Sequence, residues 1–239
     1  MAEPLILHIE TATDICSVAL SEGDHQLSLV ESGMERSHAT LLNPYIRQVL
    51  AESGRELNKL NAVAISKGPG SYTGLRIGVS TAKGLAYGLE IPLLSSGTLD
   101  NMAYGGRDHP FIQKILRDVG KELLLCPMID ARRMEVYACF FTMGMTIIRK
   151  VTADVISSDT YREILDKHPV CFFGNGSLKC EKVLSHPNAY FINEIHPSAS
   201  QMIKPALHRF HQQQFEDVAY FEPFYLKDFI ATIPRKKLI

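Results

Sequence analysis

The sequence has almost no net charge, because 25 lysines and arginines stand against 26 aspartates and glutamates. A protein that holds nucleic acid by a general positive field needs a surplus of cations. The composition therefore excludes that mode of binding and leaves only a local basic patch. No window approaches the ~20 apolar residues of a membrane-spanning helix. The first residues also lack the cationic stretch and apolar core of a signal peptide, so we expect no membrane association.

The sequence also lacks the common redox and metal-binding motifs. The five cysteines are scattered and form no CxxC, which favours reduced residues in a cytoplasmic protein. No two of the nine histidines are four residues apart, so neither HxxxH nor HExxH is present. His208 and His211 are three residues apart and could share a metal, but the glutamines that follow them indicate a solvated face. We expect neither a metal site nor a cofactor.

One order of predicted elements is present twice. In the first half, strand-like runs and amphipathic stretches predict strands at 5–10, 15–20 and 26–31, a helix at 37–53, a strand at 62–66 and a helix at 71–89. In the second half, the same patterns predict strands at 123–130, 135–141 and 146–151, a helix at 158–167, a strand at 170–174 and a helix at 176–185. Each half therefore follows a β-β-β-α-β-α order.

Two such lobes, facing each other across a cleft, are typical of an α/β architecture, the actin-like duplicated ribonuclease-H-like fold. We expect the first lobe to cover residues 1–104 and the second lobe, with a C-terminal tail, to cover 123–239. A cluster of glycine, proline and charged residues predicts a linker at 105–122. A last helix at 198–214 is expected to return the chain to the first lobe.

A glycine-rich segment, GPGSYTGLRIG at 68–78, follows the fourth predicted strand. Such a turn can present backbone amides to an anion. It is not a Walker A loop, because no Gly-Lys-Ser/Thr follows, and its GxGxxxG spacing differs from the dinucleotide fingerprint. No GxSxG nucleophile motif is present. Asp130, at the end of a strand, could hold a metal or a phosphate-bound cation, or could pair with a neighbouring arginine.

Small residues recur at steps of four in the helix at 71–89, which places them on one helical face. A glycine in a helix costs about 0.5–1 kcal/mol relative to alanine, so close packing must offset that cost, either inside the monomer or against another subunit. We predict a subunit contact shared with the preceding helix. The predicted interface residues are His38, Leu41, Leu42, Tyr45, Ile46, Val49, Gly74, Leu75, Gly78, Val79 and Ala82.

Six segments resemble, in order and spacing, the TsaB family, formerly called YeaZ. They are IETAT (9–13), RSHATLLNPYI (36–46), GPGSYTGLRIGVSTAKGLA (68–86), IDARRMEVY (129–137), GNGS (174–177) and FYLKD (224–228). The resemblance implies an actin-like fold and a scaffold or dimerization role in the bacterial machinery that makes threonylcarbamoyladenosine next to the anticodon of tRNA. It implies the catalytic paralogue TsaD and the small ATPase TsaE as partners. It also implies contact with tRNA only through the assembled complex, and self-pairing when TsaD is absent.

The chain lacks the catalytic features of that paralogue, which binds a metal through an HxxxH pair. The corresponding stretch at 93–101 contains no histidine, so we expect no Lewis acid and no catalytic residue. Glu10 also stands where the TsaB family commonly has aspartate. A vestigial cleft, able to bind a nucleotide at most weakly, would be formed by Glu10, Thr11, Gly68, Gly70, Asp130, Gly174 and Gly176. The alternative to a scaffold is a stand-alone nucleotide hydrolase, or a glycoprotease-like metallopeptidase, that uses this cleft.

Overall fold

The computed structural model describes residues 3–32, 38–120 and 122–227. Its first lobe contains β1 (Leu5–Glu10), β2 (Ser17–Glu22), β3 (His25–Glu31), α1 (His38–Ser53), β4 (Ala62–Ser66), α2 (Tyr72–Leu89) and β5 (Leu93–Ser96). The strands are ordered β3-β2-β1-β4-β5, with β1 antiparallel to β2 and parallel to β4. Alternate side chains of β1 face opposite sides of this sheet, so that Leu7 and Ile9 pack with the two helices while Ile6 faces away from them.

The second lobe repeats this arrangement. Two helices precede it, α3 (Thr98–Gly106) and α4 (Pro110–Val119). It contains β6 (Leu124–Asp130), β7 (Glu135–Thr142), β8 (Ile147–Val155), α5 (Arg162–Leu165), β9 (Val170–Phe173), α6 (Ser177–Glu181) and β10 (Ala189–Ile192). The strand order β8-β7-β6-β9-β10 matches that of the first sheet, element for element. The predicted duplication of β-β-β-α-β-α units is confirmed, and each lobe adds a short fifth strand.

Residues 105–122, predicted to be a linker, are mostly helical instead. They include the end of α3 and the whole of α4. Leu99 of α3 and Ile112 of α4 pack with Leu125 in a core cluster of the second sheet. The sequence misleads because Pro110 looks like a helix breaker but stands at the start of α4. A proline in the first helical turn loses no hydrogen bond, since the amide that it lacks would have no partner within the helix.

The end of the chain returns to the first sheet. The predicted helix at 198–214 is a short 3₁₀ turn, Ala199–Met202, followed by α7 (Ile203–His211). Met202 and Ala206 pack against Ala64 and Leu94, on the face of the sheet opposite to α1 and α2. The sheet of the first lobe is thus covered on both faces.

An irregular segment at 216–227, named the strap, runs from the first sheet to the second. It begins with an isolated antiparallel bridge to Leu93 of β5. Lys83 of α2 donates hydrogen bonds to two strap carbonyl oxygens, at 3.1 and 2.9 Å. At the other end, Lys227 forms an ion pair with Glu135 of β7. The strap therefore joins the two lobes by contacts that are independent of α3 and α4.

All five cysteines are buried and unpaired. Within the described ranges, no helix has the length and the apolar character that crossing a membrane requires.

Candidate functional site

The glycine-rich turn between β4 and α2 packs on the chain segment that follows β1. The Ser71 amide donates a hydrogen bond to the carbonyl oxygen of Ala12 at 2.7 Å. The Ser71 hydroxyl accepts one from the Gly74 amide at 3.3 Å and so caps α2. A Cβ at Gly70 would lie 2.2 Å from the Ala12 carbonyl oxygen. Gly70, a residue of the expected vestigial cleft, therefore makes room for the backbone of this chain.

The row of small residues on α2 faces the sheet of its own lobe. A Cβ at Gly74 would lie 2.2 Å from the Thr11 carbonyl oxygen, and one at Gly78 would lie 2.2 Å from Thr11 Oγ1. Ala82 is fully buried. Close packing inside the monomer offsets the helical cost of these glycines. The sheet of this lobe therefore covers the small residues themselves and leaves them unexposed to another chain.

The larger side chains of the predicted interface also belong to the core of the first lobe. They are Leu41, Leu42, Ile46, Val49, Leu75 and Val79, and all of them are buried. His38 and Tyr45 keep partial exposure, and His38 Nε2 lies 2.7 Å from the carbonyl oxygen of Thr13. The sequence pattern of α1 identifies its apolar face but does not show that the sheet of the same lobe covers that face.

The outward faces of α1 and α2, named the outer helix face, remain exposed. It is defined here by a subset of their exposed residues: Asn43, Arg47, Gln48, Ala51, Ser80, Gly84, Tyr87 and Gly88. Tyr87 is 81% exposed, and a Cβ at Gly84 or Gly88 would meet nothing within 4 Å. No packing within the described residues offsets the helical cost of these two glycines. Gly84 and Gly88 are four residues apart, but Gly74 and Gly78, which face the sheet, have the same spacing. The spacing in the sequence therefore does not show which pair is exposed.

In the first lobe, the predicted cleft residues point into the core. Glu10 and Thr11 are both fully buried. Glu10 Oε1 accepts a hydrogen bond from the Ala12 amide at 2.6 Å, whereas Oε2 has no partner among the described residues. Burial raises the pKa of Glu10 to about 7, although hydrogen bonding from Ser66 and from nearby backbone amides opposes the shift. This carboxyl group is a neutral or half-ionised core residue rather than a ligand in an open cleft.

In the second lobe, the two cleft glycines are packed against β6. A Cβ at Gly174, which has φ of +99°, would lie 2.3 Å from the Met128 carbonyl oxygen and 2.5 Å from Met102 Cε of α3. A Cβ at Gly176 would lie 2.9 Å from the carbonyl carbon of Ile129. Helix α3 and the backbone of β6 therefore occupy the space that these glycines leave. Gly68 is likewise close to the strap, because its Cβ would lie 2.8 Å from a strap carbonyl oxygen.

Asp130 is exposed but engaged. It forms an ion pair with Lys179 of α6, and its carboxylate accepts a hydrogen bond from the Arg132 amide at 2.7 Å. The partner is thus a lysine of another element, where the sequence suggested a neighbouring arginine. Residues 3–32, 38–120 and 122–227 contain no group of three His, Cys, Asp or Glu side chains placed to hold a metal.

Comparison with known proteins identifies the family. The family model described as TsaD, tRNA N6-adenosine threonylcarbamoyltransferase, matches residues 30–235. The tRNA threonylcarbamoyladenosine biosynthesis protein TsaB of Bacillus subtilis (strain 168) is 30% identical over 173 residues, which are 71% of this chain and 70% of that protein. The chain belongs to the TsaB family.

Other TsaB family members agree with this assignment. TsaB of Escherichia coli (strain K12) is 40% identical over 132 residues, 55% of this chain and 52% of that protein, so the match spans about half of its length. The solved structure of YeaZ from Pseudomonas aeruginosa has a TM-score of 0.74 and 26% sequence identity, and the match covers 93% of this chain and 100% of that one. The TsaB relationship confirms the predicted actin-like, duplicated ribonuclease-H-like fold.

Proposed function

We propose that the chain is a non-catalytic scaffold subunit of the machinery that makes threonylcarbamoyladenosine in tRNA. In this proposal it pairs with the catalytic paralogue TsaD, works with the ATPase TsaE and contacts tRNA only within the assembled complex. Membership of the TsaB family supports a role in this process, since its relatives are named as tRNA threonylcarbamoyladenosine biosynthesis proteins. The outer helix face supports the role, because the exposed sides of two helices, with the unpacked Gly84 and Gly88 on α2, suit close helix pairing.

The proposal places the chain in the cytoplasm, where tRNA is modified and where its buried cysteines stay reduced. It assigns the chain no catalytic residue and no cofactor of its own. When TsaD is absent, the outer helix face is expected to pair with the same face of a second copy, giving an isologous homodimer. Steady turnover of ATP or a peptide by the purified chain, lost in Asp130→Asn, would favour the hydrolase alternative.

Replacement of Gly84 by arginine should block assembly without unfolding the chain. The new side chain has open space in the monomer but would stand between two closely packed helices in the complex. We expect affinity for TsaD to fall at least tenfold, which is about 1.4 kcal/mol or more. Titration calorimetry with TsaD measures the affinity, and thermal unfolding of the isolated variant checks the fold.

Gly144→Arg is the matched control for that experiment. Gly144 is exposed in the turn between β7 and β8 of the second lobe, and a Cβ there meets only Thr142 Oγ1 at 3.7 Å. This variant adds the same side chain away from the outer helix face and should bind TsaD normally. Unchanged affinity of Gly84→Arg, with a normal melting temperature, would show that the partner surface lies elsewhere.

The isolated chain should bind tRNA weakly at ~150 mM salt. Phosphate contacts need positive groups, and the whole sequence has a net charge of -1. The densest basic cluster, Arg235-Lys236-Lys237, lies outside the described residues. Filter binding with the chain alone, and again after TsaD and TsaE are added, should show retention of tRNA only in the complete mixture. Tight retention by the chain alone would contradict indirect contact with tRNA.

A further inference from the structure

A cavity of about 320 Å³ lies between the two lobes, away from the outer helix face. One wall comes from the first lobe, from Lys67 just after β4, and continues into the first turn of α3 at Leu99. The opposite wall comes from β7 and β8 of the second lobe, at Phe141 and Val151. Phe224 of the strap closes one side. A volume of this size is within the usual range for a small-molecule site, which is about 300–1,000 Å³.

The wall formed by the strap is fixed to the first lobe. The Phe224 amide donates a hydrogen bond to the Lys67 carbonyl oxygen at 2.7 Å. The ring of the next residue, Tyr225, lies 4.9 Å from the ring of Tyr72 at the start of α2. The cavity is thus formed by ordered segments of three parts of the chain, and it has its shape before a ligand arrives.

Most of the cavity surface is apolar. Leu99 and Phe141 are buried core residues whose side chains reach the cavity, and the buried Cys139 thiol lies beside them. Val151 and Phe224 add further apolar area. Burial raises the pKa of Cys139 well above its ordinary value, so the thiol stays neutral and counts as apolar surface here. Such a lining binds hydrocarbon or an aromatic ring by excluding water.

The charged groups at the cavity favour an anion. Lys67 and Lys150 line it, and neither ammonium group makes an ion pair or a hydrogen bond with the described residues. The one carboxylate in the lining, Asp100, faces two cations, because Lys67 and Arg209 both oppose the rise in its pKa that burial causes. The lining therefore carries two positive charges and one negative charge. The amino-terminal turn of α3, which has no side-chain cap, adds positive potential.

We propose that this cavity binds a small amphiphilic anion, with an acyl chain or an aromatic ring against the apolar walls and a carboxylate facing Lys67 and Lys150. The apolar lining supplies affinity for the hydrocarbon part, and the two ammonium groups, which outnumber the Asp100 carboxylate, select the sign of the charge. The site is independent of the scaffold role, because no residue of the outer helix face lines it.

Titration calorimetry of the full chain with octanoate tests the proposal, with octylamine as a probe of equal length and opposite charge. We expect saturable one-to-one binding of octanoate with a dissociation constant of about 1 mM or below, and no saturable binding of octylamine in the same range. Lys67→Gln and Lys150→Gln should each weaken octanoate binding, by about tenfold for the half-buried Lys67 and by about threefold for the exposed Lys150. Val151→Phe, which fills the cavity, should abolish binding.

Lys59→Gln is the matched control, because it removes the same charge from the short 3₁₀ turn that precedes β4, at the end of the strand opposite to Lys67, and should leave binding unchanged. Thermal unfolding of each variant establishes that it is folded. Because Lys150 is exposed, Lys150→Gln should stay folded and still test the proposal if another variant is unstable. The proposal is overturned by equal binding of octanoate and octylamine, by the absence of saturable octanoate binding, or by lysine variants that bind like the control. Pairing with TsaD, measured on the same variants, should be unaffected.

Discussion

Replacement of Gly78 by leucine should destabilise the isolated chain severely. The first carbon of the new side chain would lie 2.2 Å from Thr11 Oγ1 and 3.1 Å from Ile65 Cδ1. Thr11 directly follows β1, Ile65 lies in the neighbouring strand β4, and both are fully buried. Helix α2 would have to move away from the sheet. Overpacking of this kind costs about 3 kcal/mol, which corresponds to a fall in melting temperature of about 10 °C for a chain of this size.

Differential scanning calorimetry of Gly78→Leu beside Gly84→Leu measures this effect. The two variants carry the same substitution in the same helix, but a Cβ at Gly84 meets nothing within 4 Å. Gly84→Leu should therefore keep the melting temperature of the unmodified chain or raise it slightly, since leucine favours helix more than glycine does. Equal melting temperatures of the two variants would mean that the face with Gly78 is not packed on the sheet.

The second large effect concerns pH and the buried carboxyl group of Glu10. Its pKa in the folded chain is about 7, raised by burial from an ordinary value of 4.5. Between these two pH values the folded state holds more protons than the unfolded state, so stability falls as the pH rises. The shift corresponds to about 3 kcal/mol of folding free energy, lost between about pH 4.5 and pH 7.

Glu10→Gln should remove this dependence, because the amide stays neutral and its oxygen can still accept the hydrogen bond from the Ala12 amide. Urea unfolding of both proteins from pH 5 to pH 8 gives the comparison. We expect the free energy of unfolding of the variant to rise relative to the original chain by about 2–3 kcal/mol over this range. Other titrating groups are common to both proteins and cancel in the difference. Parallel curves would show that Glu10 does not titrate between the two states.

The sequence predicts the strand framework well, because the strand-like runs of both lobes are bounded by clear turn signals. It fails at β5 (Leu93–Ser96) and β10 (Ala189–Ile192), which have four residues each. Length alone does not explain this, because β9 (Val170–Phe173) is equally short and was predicted; in β5 only two of the four residues are apolar, which leaves no strand-like pattern. Helices α3 and α4 were missed for a related reason, since glycines and Pro110 mark the ends of those helices and resemble the composition of a linker.

The candidate site was harder to predict than the fold. Steps of four residues correctly place Gly74 and Gly78 on one helical face, but they do not show what that face touches. That face contacts Thr11, which is distant from α2 in the sequence and reaches the helix only because β1 and β4 pair in the sheet. The outward pair, Gly84 and Gly88, has the same spacing and the opposite surroundings. Only the tertiary structure separates the two rows.

The strap has a mechanical consequence for assembly. Enzymes with two lobes around a cleft commonly open and close by hinge motion. Here the strap holds α2 through Lys83 and β7 through the ion pair of Lys227 with Glu135, so opening would break contacts at both ends. A module with its lobes tied in this way presents the same surface before and after it meets a partner. In the proposed assembly, association would then lose little conformational entropy from motion of the lobes.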